Sequence, residues 1–335
     1  MNFGKITTFV LIGGTKICSD FALELKKMKC DVVLITAPRQ LNEKIGELTF
    51  QEVLNQEKIK HEVIEDINKS KKLDEYLTSN AIGIYLGPAW DLNENNLNKF
   101  KGRLIEFMGI PLPQYRGGAH YTHQILKNDR NWACYLQIVT NEKHKGQVFA
   151  EVKYQMPLNA KTPQNCLDIL SDLSVTFLVK FAKDIIAGKE FEPKTLQEED
   201  SSYYPFLFTD IHGLIDWNWN YKEVETFINA FDDPYTGAST FIGEKRIHLK
   251  KCMLANKDGY FHPFQAGIIY RIKQDKIYIA VKGGAISVNS ITDENGKNII
   301  PELKEGDRLY TPTKYIENAR TFKATYNSKG INKKN

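Results

Sequence analysis

The chain has 335 residues, 42% of them hydrophobic and 26% charged, which are ordinary values for a globular protein of two domains. The net charge of +4, from 45 basic and 41 acidic residues, is too nearly balanced to predict a nucleic-acid partner, whose binding needs clustered basic residues. No run approaches the ~20 apolar residues of a membrane span, and five scattered cysteines without C-x-x-C pairs argue against disulfides or a zinc site. We therefore expect a soluble cytoplasmic protein that has no metal, membrane or nucleic acid as a partner.

The first part of the chain has the pattern of a parallel α/β sheet. A β-rich run at 5–12 ends at Gly13-Gly14, apolar residues then recur at helical spacing as far as Met28, and a second strand follows at 31–36. A buried strand, a glycine turn, a helix and another buried strand form a βαβ unit. We predict further strands at 62–64, 82–86, 103–108, 134–139 and 147–154, and helices at 43–56, 70–78, 92–99, 119–127 and 163–187.

The Gly13-Gly14 turn could hold a phosphate at the N-terminus of the following helix. It is not a G-x-G-x-x-G motif, and Ala37-Pro38 stands where an acidic residue would be expected after the second strand. A tight turn that packs the helix on the sheet is the better interpretation, and a nicotinamide-dependent dehydrogenase is disfavoured.

The pattern changes after residue 188. An aromatic run at 203–208 could stack on a nucleotide base or plug the space between two domains, and we favour the plug. Residues 222–231 predict an amphipathic helix, and 240–312 predict short strands separated by glycines, as in a small β-barrel or open sheet. We divide the chain into an α/β domain at 1–188, a linker at 189–210, a β-rich domain at 211–325 and a frayed tail at 326–335.

Several short motifs occur in a fixed order along the chain. A strand and loop at 84–90 precede Leu112-Pro113-Gln114-Tyr115-Arg116-Gly117, and Ile215-Asp216-Trp217 precedes a Pro-x-x-Gly-Ala motif at 234–238. Together these motifs resemble the folate-dependent formyltransferases over about residues 5–250. That family includes methionyl-tRNA formyltransferases and sugar-nucleotide N-formyltransferases.

The resemblance implies a Rossmann-like N-terminal domain, a smaller β-rich C-terminal domain and N10-formyltetrahydrofolate as the cofactor. The near-neutral charge argues against a tRNA substrate, so we expect a nucleotide-linked amino sugar as the small-molecule substrate. A homodimer is a further expectation. By the same resemblance, the substrate and the cofactor are bound by Gly87, Pro88, Trp90, Tyr115, Arg116, Gly117, His120 and Gly146.

Two of these residues also have structural interpretations. Arg116 could contact a substrate anion, but we favour a role in tying the loop to neighbouring carbonyl groups. His120 stands at a helix start, where a polar wall of the site is possible, but we favour a histidine whose hydrogen bonds are met within the fold.

The catalytic positions of the family are altered in this chain. Glu106 stands at the family's asparagine, Met108 at its histidine and His144 at its aspartate. In the family, the amide and the imidazole stabilise the oxyanion that forms when an amine attacks the formyl carbon, and the aspartate handles protons. An ionised Glu106 would oppose that oxyanion, Met108 donates no hydrogen bond, and His144 would have to move protons alone. The loss of one oxyanion donor costs about 10²–10³ in rate.

The altered positions leave several functions open. A divergent formyltransferase could combine Glu106 with His120, His123 and His144, because a glutamate and a histidine form an acid–base couple near neutral pH. The same couple, Glu106 with His144, could serve a folate-independent enzyme. A catalytically silent relative could instead bind a ligand or an assembly partner. An alignment error that hides a working asparagine or histidine is the least supported explanation. The intact pocket loops favour an enzyme.

Overall fold

The computed structural model describes residues 1–142, 145–327 and 330–332, which form an α/β domain, a linker and an antiparallel β-rich domain. The α/β part contains β1 Thr8–Gly13, α1 Lys16–Lys27, β2 Asp31–Thr36, α2 Pro38–Leu41, β3 Lys44–Ile45, β4 Leu48–Thr49, α3 Phe50–Gln56, β5 His61–Val63, β6 Ala81–Leu86, α4 Glu94–Lys99, β7 Leu104–Met108, β8 Arg116–Gly117, α5 His120–Leu126, β9 Asn131–Ile138, β10 Val148–Gln155 and α6 Pro163–Ile186.

The rest of the chain contains β11 Tyr203–Tyr204, α7 Thr209–His212, α8 Tyr221–Ala230, β12 Ala238–Ile242, β13 Lys245–Leu254, β14 Ile269–Lys273, β15 Lys276–Val281, β16 Gly284–Asp293, β17 Leu309–Tyr310, α9 Thr313–Thr321, β18 Thr325–Asn327 and β19 Gly330–Asn332. Short 3₁₀ turns lie at Lys72–Glu75, Glu198–Asp200, Pro263–Gln265 and Ile300–Glu302. The predicted fold class, a Rossmann-like sheet followed by a smaller β-rich domain, is confirmed.

The N-terminal sheet has the strand order β10-β9-β7-β6-β1-β2-β5. Strands β7, β6, β1, β2 and β5 are parallel, β9 runs antiparallel to β7, and the edge strand β10 runs antiparallel to β9. Its central strands are apolar on both faces because both faces are covered. Phe9 of β1 packs with α1 and α6 on one face, and its neighbour Val10 packs with Tyr85 and Trp90 on the other.

The glycine turn after β1 is a close-packed turn. A Cβ on Gly13 would stand 2.0 Å from the carbonyl oxygen of Leu86, and a Cβ on Gly14 would stand 2.5 Å from the Cβ of Gln40. Thr15 then caps α1 by accepting a hydrogen bond from the backbone N–H of Cys18. The pair therefore brings β1, β6 and α2 together, which agrees with the tight-turn interpretation.

Two predicted helices differ from the structure. Residues 43–56 were expected to be one helix, but 44–49 form the β3–β4 hairpin and only α3 is helical. Thr49 and Glu52 form a reciprocal capping box, which fixes the start of α3 at that point. Residues 70–78 contain only the 3₁₀ turn at Lys72–Glu75, in which Leu73 is the buried residue. One buried side chain does not give the apolar face that stabilises a longer helix.

The C-terminal domain is a six-stranded antiparallel sheet in the order β14-β15-β16-β13-β12-β17. Helix α8 begins at an Asn220–Glu223 capping box and packs on β13, where Val224 and Ile228 join Ile247 in a buried cluster. The amphipathic helix that the sequence predicts at 222–231 is therefore present, with its apolar face against the sheet.

The end of the described chain returns to the linker. Where the sequence predicts a frayed tail at 326–335, the described residues of this segment form a hairpin of β18 and β19. The Tyr326 hydroxyl donates a 2.7 Å hydrogen bond to the carbonyl oxygen of Leu207, and the Nε2 of His212 lies 3.1 Å from the carbonyl oxygen of Phe322. No helix in the described ranges combines the length and the apolar character that crossing a bilayer requires.

Candidate active site

A cavity of about 350 Å³ opens at the carboxyl ends of β1, β6 and β7. The chain runs outward from β1 to β2 and β5, then returns to β6 and β7 on the other side of β1. This change of direction produces the crevice in which open α/β sheets bind ligands. The residues that line the cavity are Thr15, Ile17, Tyr85, Leu86, Gly87, Pro88, Asp91, Glu106, Phe107, Met108, Gly109, Gly117, His120, Tyr121, Leu170, Ser174 and Phe206.

Glu106 is half-buried in this cavity, in the middle of three adjacent strands. It is paired in register with Tyr85 of β6 and with Gln137 of β9. The Nε2 of Gln137 donates a 2.7 Å hydrogen bond to the Oε2 of Glu106. Burial raises the pKa of Tyr85, and the nearby carboxylates of Asp91 and Glu106 raise it further. Glu106 therefore has a neutral phenol on one side and an amide donor on the other.

Met108 lines the cavity with only 7% of its surface exposed. It belongs to a buried cluster with Ile110, Leu112 and Tyr135. Its thioether is a weak acceptor and donates no hydrogen bond. Met108 therefore forms an apolar wall at the position where the resemblance implies a histidine.

Arg116 is bound to the linker. Its Nη1 and Nη2 donate hydrogen bonds of 2.7 and 2.9 Å to the two carboxylate oxygens of Glu198, and Nη1 also donates to the Ser201 hydroxyl. The hydrogen bond from Arg116 is the largest of the effects that lower the pKa of Glu198. The Arg116 side chain lies outside the main cavity and lines a smaller one of about 280 Å³ with Lys145 and Tyr203.

Tyr115 is fully buried and likewise holds the loop. Its hydroxyl donates a 2.6 Å hydrogen bond to the Oδ2 of Asp129. Its ring stacks on Tyr204 of the linker at a centroid distance of 5.1 Å. Tyr115 does not reach the main cavity.

The two glycines of the loop allow the linker to lie directly on it. Gly117 has a φ of +114°, and a Cβ there would stand 1.8 Å from the carbonyl oxygen of Tyr204. A Cβ on Gly118 would stand 2.3 Å from the Cδ1 of Phe206. The backbone N–H groups of Arg116 and Gly118 donate to the carbonyl oxygens of Ser202 and Tyr204, each at 3.0 Å. The aromatic run of the linker is thus packed on this loop, although Tyr203 remains 69% exposed.

The remaining predicted site residues fall in different places. Gly87, Pro88 and His120 line the cavity, and the His120 Nε2 lies 3.0 Å from the carbonyl oxygen of Gly117. Trp90 faces a neighbouring chamber, where its Nε1 donates to the carbonyl oxygen of Glu65 at 2.9 Å. Gly146 packs on β9, because a Cβ there would stand 1.6 Å from the carbonyl oxygen of Ile138.

Of the other two histidines considered with Glu106, His123 does not line its cavity. His123 contacts the linker instead, with its Nε2 3.0 Å from the carbonyl oxygen of Pro205 and its ring 4.9 Å from that of Tyr204. His144 lies outside the described residues. Of the predicted acid–base partners, the structure therefore brings His120 into the same cavity as Glu106.

A second chamber of about 360 Å³ adjoins the cavity and shares Pro88, Asp91 and Phe206 with it. Its other walls come from α2, from the second domain and from the C-terminal hairpin. The lining residues outside the shared three are Arg39, Ala89, Trp90, Ala119, Thr122, Leu207, Thr209, Phe231, Tyr235, Tyr326 and Asn327.

Sequence reasoning missed most of this chamber. Phe206 belongs to the aromatic run at 203–208, which the sequence analysis had already identified as a possible stacking or packing surface. No sequence motif pointed to Arg39 or Tyr326, because only the fold brings α2 and the end of the described chain to the same chamber. No group of three or more histidine, cysteine or carboxylate side chains in the described parts of the chain could hold a metal ion.

Known proteins resemble the chain in its second domain and in its fold. Residues 209–305 match the family described as "Formyl transferase, C-terminal domain". A methionyl-tRNA formyltransferase of Nitrosomonas europaea is 25% identical over 190 residues, which are 56% of this chain and 57% of that protein. The chain thus matches little more than half of that relative's length.

Two solved structures cover the chain more completely. WlaRD, a sugar 3N-formyltransferase, superimposes with a TM-score of 0.63 at 18% identity and covers 85% of this chain and 98% of its own. An N-formyltransferase of Helicobacter canadensis superimposes with a TM-score of 0.62 at 17% identity and covers 84% and 98%. At these identities the likeness shows the fold. Residues 209–305 therefore match the formyl transferase C-terminal domain, and the chain as a whole shares the fold of these two N-formyltransferases.

Proposed function

We propose that this protein is a divergent formyltransferase. It moves a formyl group from N10-formyltetrahydrofolate to the amine of a small acceptor, and a nucleotide-linked amino sugar is the acceptor class that fits best. The observation that carries the proposal is the cavity at the end of β7. It contains Glu106, is bordered by Gly117 of the Leu-Pro-x-Tyr-Arg-Gly loop, and adjoins a second chamber.

The donor is assigned to the main cavity. WlaRD was solved with 5-N-formyltetrahydrofolate, and the H. canadensis enzyme with folinic acid. At about 350 Å³, the cavity is within the range of small-molecule sites. Its walls are largely apolar, with Ile17, Phe107 and Leu170 available to a planar ring and Glu106 at one edge.

The acceptor is assigned to the second chamber. Phe206, Tyr235 and Tyr326 offer aromatic surface for a base or a sugar, and Arg39 offers a cation for a phosphate. The same two relatives were solved with dTDP and with dTDP-3-aminofucose. Because the chamber and the cavity share Phe206, an acceptor held in one can extend its amine into the other.

Glu106 supplies the proton acceptor in this proposal. The amine nitrogen attacks the formyl carbon, a C–N bond forms, and the formyl oxygen becomes an oxyanion. The nitrogen then loses a proton to Glu106, so that an N–H bond breaks and an O–H bond forms. The bond to N10 of the folate breaks, and N10 takes up that proton. His120, an imidazole in the same cavity, is the candidate donor to the oxyanion.

One observation favours a second candidate, a silent ligand-binding relative. Met108 is packed in a buried apolar cluster, so the family's histidine is replaced without leaving a gap that another donor could fill. A chain with one oxyanion donor fewer would react about 10²–10³ times more slowly. The test must therefore separate binding from turnover.

The first measurement is the free energy of unfolding with and without a reduced folate. A folate at 100 times its Kd stabilises the protein by about 2.7 kcal/mol. No stabilisation by any folate contradicts the proposal and leaves a folate-independent enzyme using Glu106, with or without His144.

The second measurement is formyl transfer to a dTDP-amino sugar, followed by mass spectrometry of the product. We expect slow transfer that Glu106→Gln abolishes. Glu151→Gln, on the exposed side of β10, is the matched control and keeps the activity. Folate binding without any transfer would identify the silent relative.

A further inference from the structure

Gln137 is buried in the sheet with only half of its amide satisfied. It is 1% exposed, and its Nε2 donates the 2.7 Å hydrogen bond to Glu106. Its Oε1 is also buried and accepts no hydrogen bond from any described residue. An unmatched buried acceptor destabilises the folded state. Such a group in a native protein requires an explanation.

The sheet holds Gln137 at Glu106. The two residues are opposite each other on β7 and β9, in an antiparallel pair whose register includes four residue pairs. Directly opposed side chains on paired strands lie on the same face of the sheet. The contact is therefore set by rigid strands and does not depend on a loop.

The other ionisable groups around Glu106 are few among the described residues. Tyr85 lies opposite it on β6, and burial keeps that phenol protonated by raising its pKa. Asp91, from the loop after β6, and His120, from α5, face the same cavity. Gln137 is a neutral neighbour that can act as either a donor or an acceptor.

We propose that Gln137 is a positioning residue that serves both protonation states of Glu106. This inference rests on the proposed function, in which Glu106 takes a proton from the amine. While Glu106 is ionised, the amide NH₂ of Gln137 donates to it. Once the N–H bond of the amine has broken and the O–H bond of Glu106 has formed, the amide turns over and Oε1 accepts that O–H. The unmatched Oε1 is the acceptor for this second state.

An amide is required at this position because it carries a donor and an acceptor on one rotatable group. Leucine has neither, so it would remove the Gln137 hydrogen bond to the half-buried Glu106 carboxyl in both states. Glutamate keeps an acceptor but, when ionised, repels an ionised Glu106. Gln137→Leu therefore disturbs both protonation states of Glu106, whereas Gln137→Glu disturbs mainly the ionised state.

The enzymatic test compares Gln137→Leu and Gln137→Glu with Gln155→Leu. Gln155 lies on the exposed part of β10, and its amide donates to Asn131 at 2.6 Å, away from the cavity. We expect Gln137→Leu to lower kcat by about tenfold and to leave the KM for folate unchanged. The acid limb of the kcat/KM profile should move to higher pH by about one pH unit, equivalent to one hydrogen bond to a charged group. Gln155→Leu should change neither.

A measurement on the ligand-free protein separates this inference from the proposed function. Side-chain ¹⁵N resonances of Gln137, assigned by their loss in Gln137→Glu, are followed while difference infrared spectroscopy against Glu106→Gln reports protonation of Glu106. We expect the amide signals to change at the same pH as the Glu106 band. That result supports the inference even if no formyl transfer is found, and it does not require Gln137→Leu to fold. Amide signals that stay constant while Glu106 is protonated would overturn it, as would a Gln137→Leu enzyme with wild-type kcat and pH profile.

Discussion

The ring of Phe206 lies directly on Gly118, so that a Cβ on this glycine would stand 2.3, 2.6 and 2.7 Å from three atoms of the ring. Phe206 also lines the main cavity, the second chamber and the small cavity beside Arg116. A single linker side chain thus borders three adjoining spaces. Its position depends on the absence of a side chain at Gly118.

Gly118→Ala is therefore expected to displace Phe206. Overpacking of this kind destabilises a protein by about 1–3 kcal/mol. The measurement is urea denaturation of the wild type, Gly118→Ala, Phe206→Ala and the double variant. Because the two residues are in contact, the double variant should lose less than the sum of the single losses. Strict additivity would show that the ring does not restrict this position.

Met108→His is expected to lower stability, although it introduces the residue type that the resemblance implies at this position. The substitution places a polar imidazole in the buried cluster with Ile110 and Tyr135. A buried polar group without a partner costs about 1–3 kcal/mol. The check is the free energy of unfolding, with Met253→His at an exposed position as the control. Gains in formyl transfer from Glu106→Asn combined with Met108→His should be judged only after this loss is measured.

Arg116→Lys is expected to weaken the loop more than Glu198→Gln does. The Arg116 side chain is 8% exposed and makes a two-pronged contact, whereas Glu198 is 56% exposed. Lysine cannot reproduce the guanidinium fork. Loss of hydrogen bonds from a buried guanidinium costs about 1–3 kcal/mol. Folate binding measured alongside denaturation tests the role of the arginine, because a residue that only ties the loop should affect both together.

Stability is expected to fall between about pH 7 and pH 5.5 through two histidines, the half-buried His123 and the buried His248. Burial lowers the pKa of His123 and of His248. In the unfolded chain a histidine takes up a proton near pH 6.5, while these two resist protonation in the fold. The unfolded state then binds more protons, so acidification favours unfolding. Thermal melts across this range should show a shallower dependence in His123→Gln, and an unchanged slope would contradict the assignment.

Tyr326→Ala is expected to raise the KM for the acceptor about tenfold, equivalent to about 1.4 kcal/mol of binding. The ring of Tyr326 lines the second chamber and lies 5.7 Å from that of Phe206. Folate binding should be unchanged, because Tyr326 does not line the main cavity. Tyr310→Ala, at a residue that is 57% exposed, serves as the control. Equal losses of folate binding and of acceptor affinity would contradict the assignment of the acceptor to the second chamber.

The strands of the α/β domain could be predicted because each is a compact apolar run between polar or glycine-rich segments. The structure places β6 at Ala81–Leu86 and β7 at Leu104–Met108, close to the predicted 82–86 and 103–108. The resemblance placed Glu106 at the site, and the structure has it at the end of a strand that faces the crevice. The motif that follows β7 added the position of the loop.

The second chamber could not be predicted in the same way. Tyr326 reaches the carbonyl oxygen of Leu207 across 119 residues of sequence, and no local periodicity encodes that contact. In the sequence Gln137 is one residue of a predicted strand. Its position opposite Glu106 depends on the register between β7 and β9, which the sequence does not reveal. The β3–β4 hairpin was missed because a helical pattern and a capping box at Thr49 compete within one short segment.

The pairing of β11 with β8 also limits how the chain can be divided. The backbone N–H groups of residues 116 and 118 donate hydrogen bonds to the carbonyl groups of residues 202 and 204. The loop beside Glu106 is therefore held by a segment some 85 positions downstream. A fragment that ends at residue 188 would contain Glu106 and Gln137 but would lack one edge of its own binding cavity. A chimera that exchanges the second domain between relatives would therefore need a linker matched to the first domain, because the linker both connects the domains and forms one edge of the cavity.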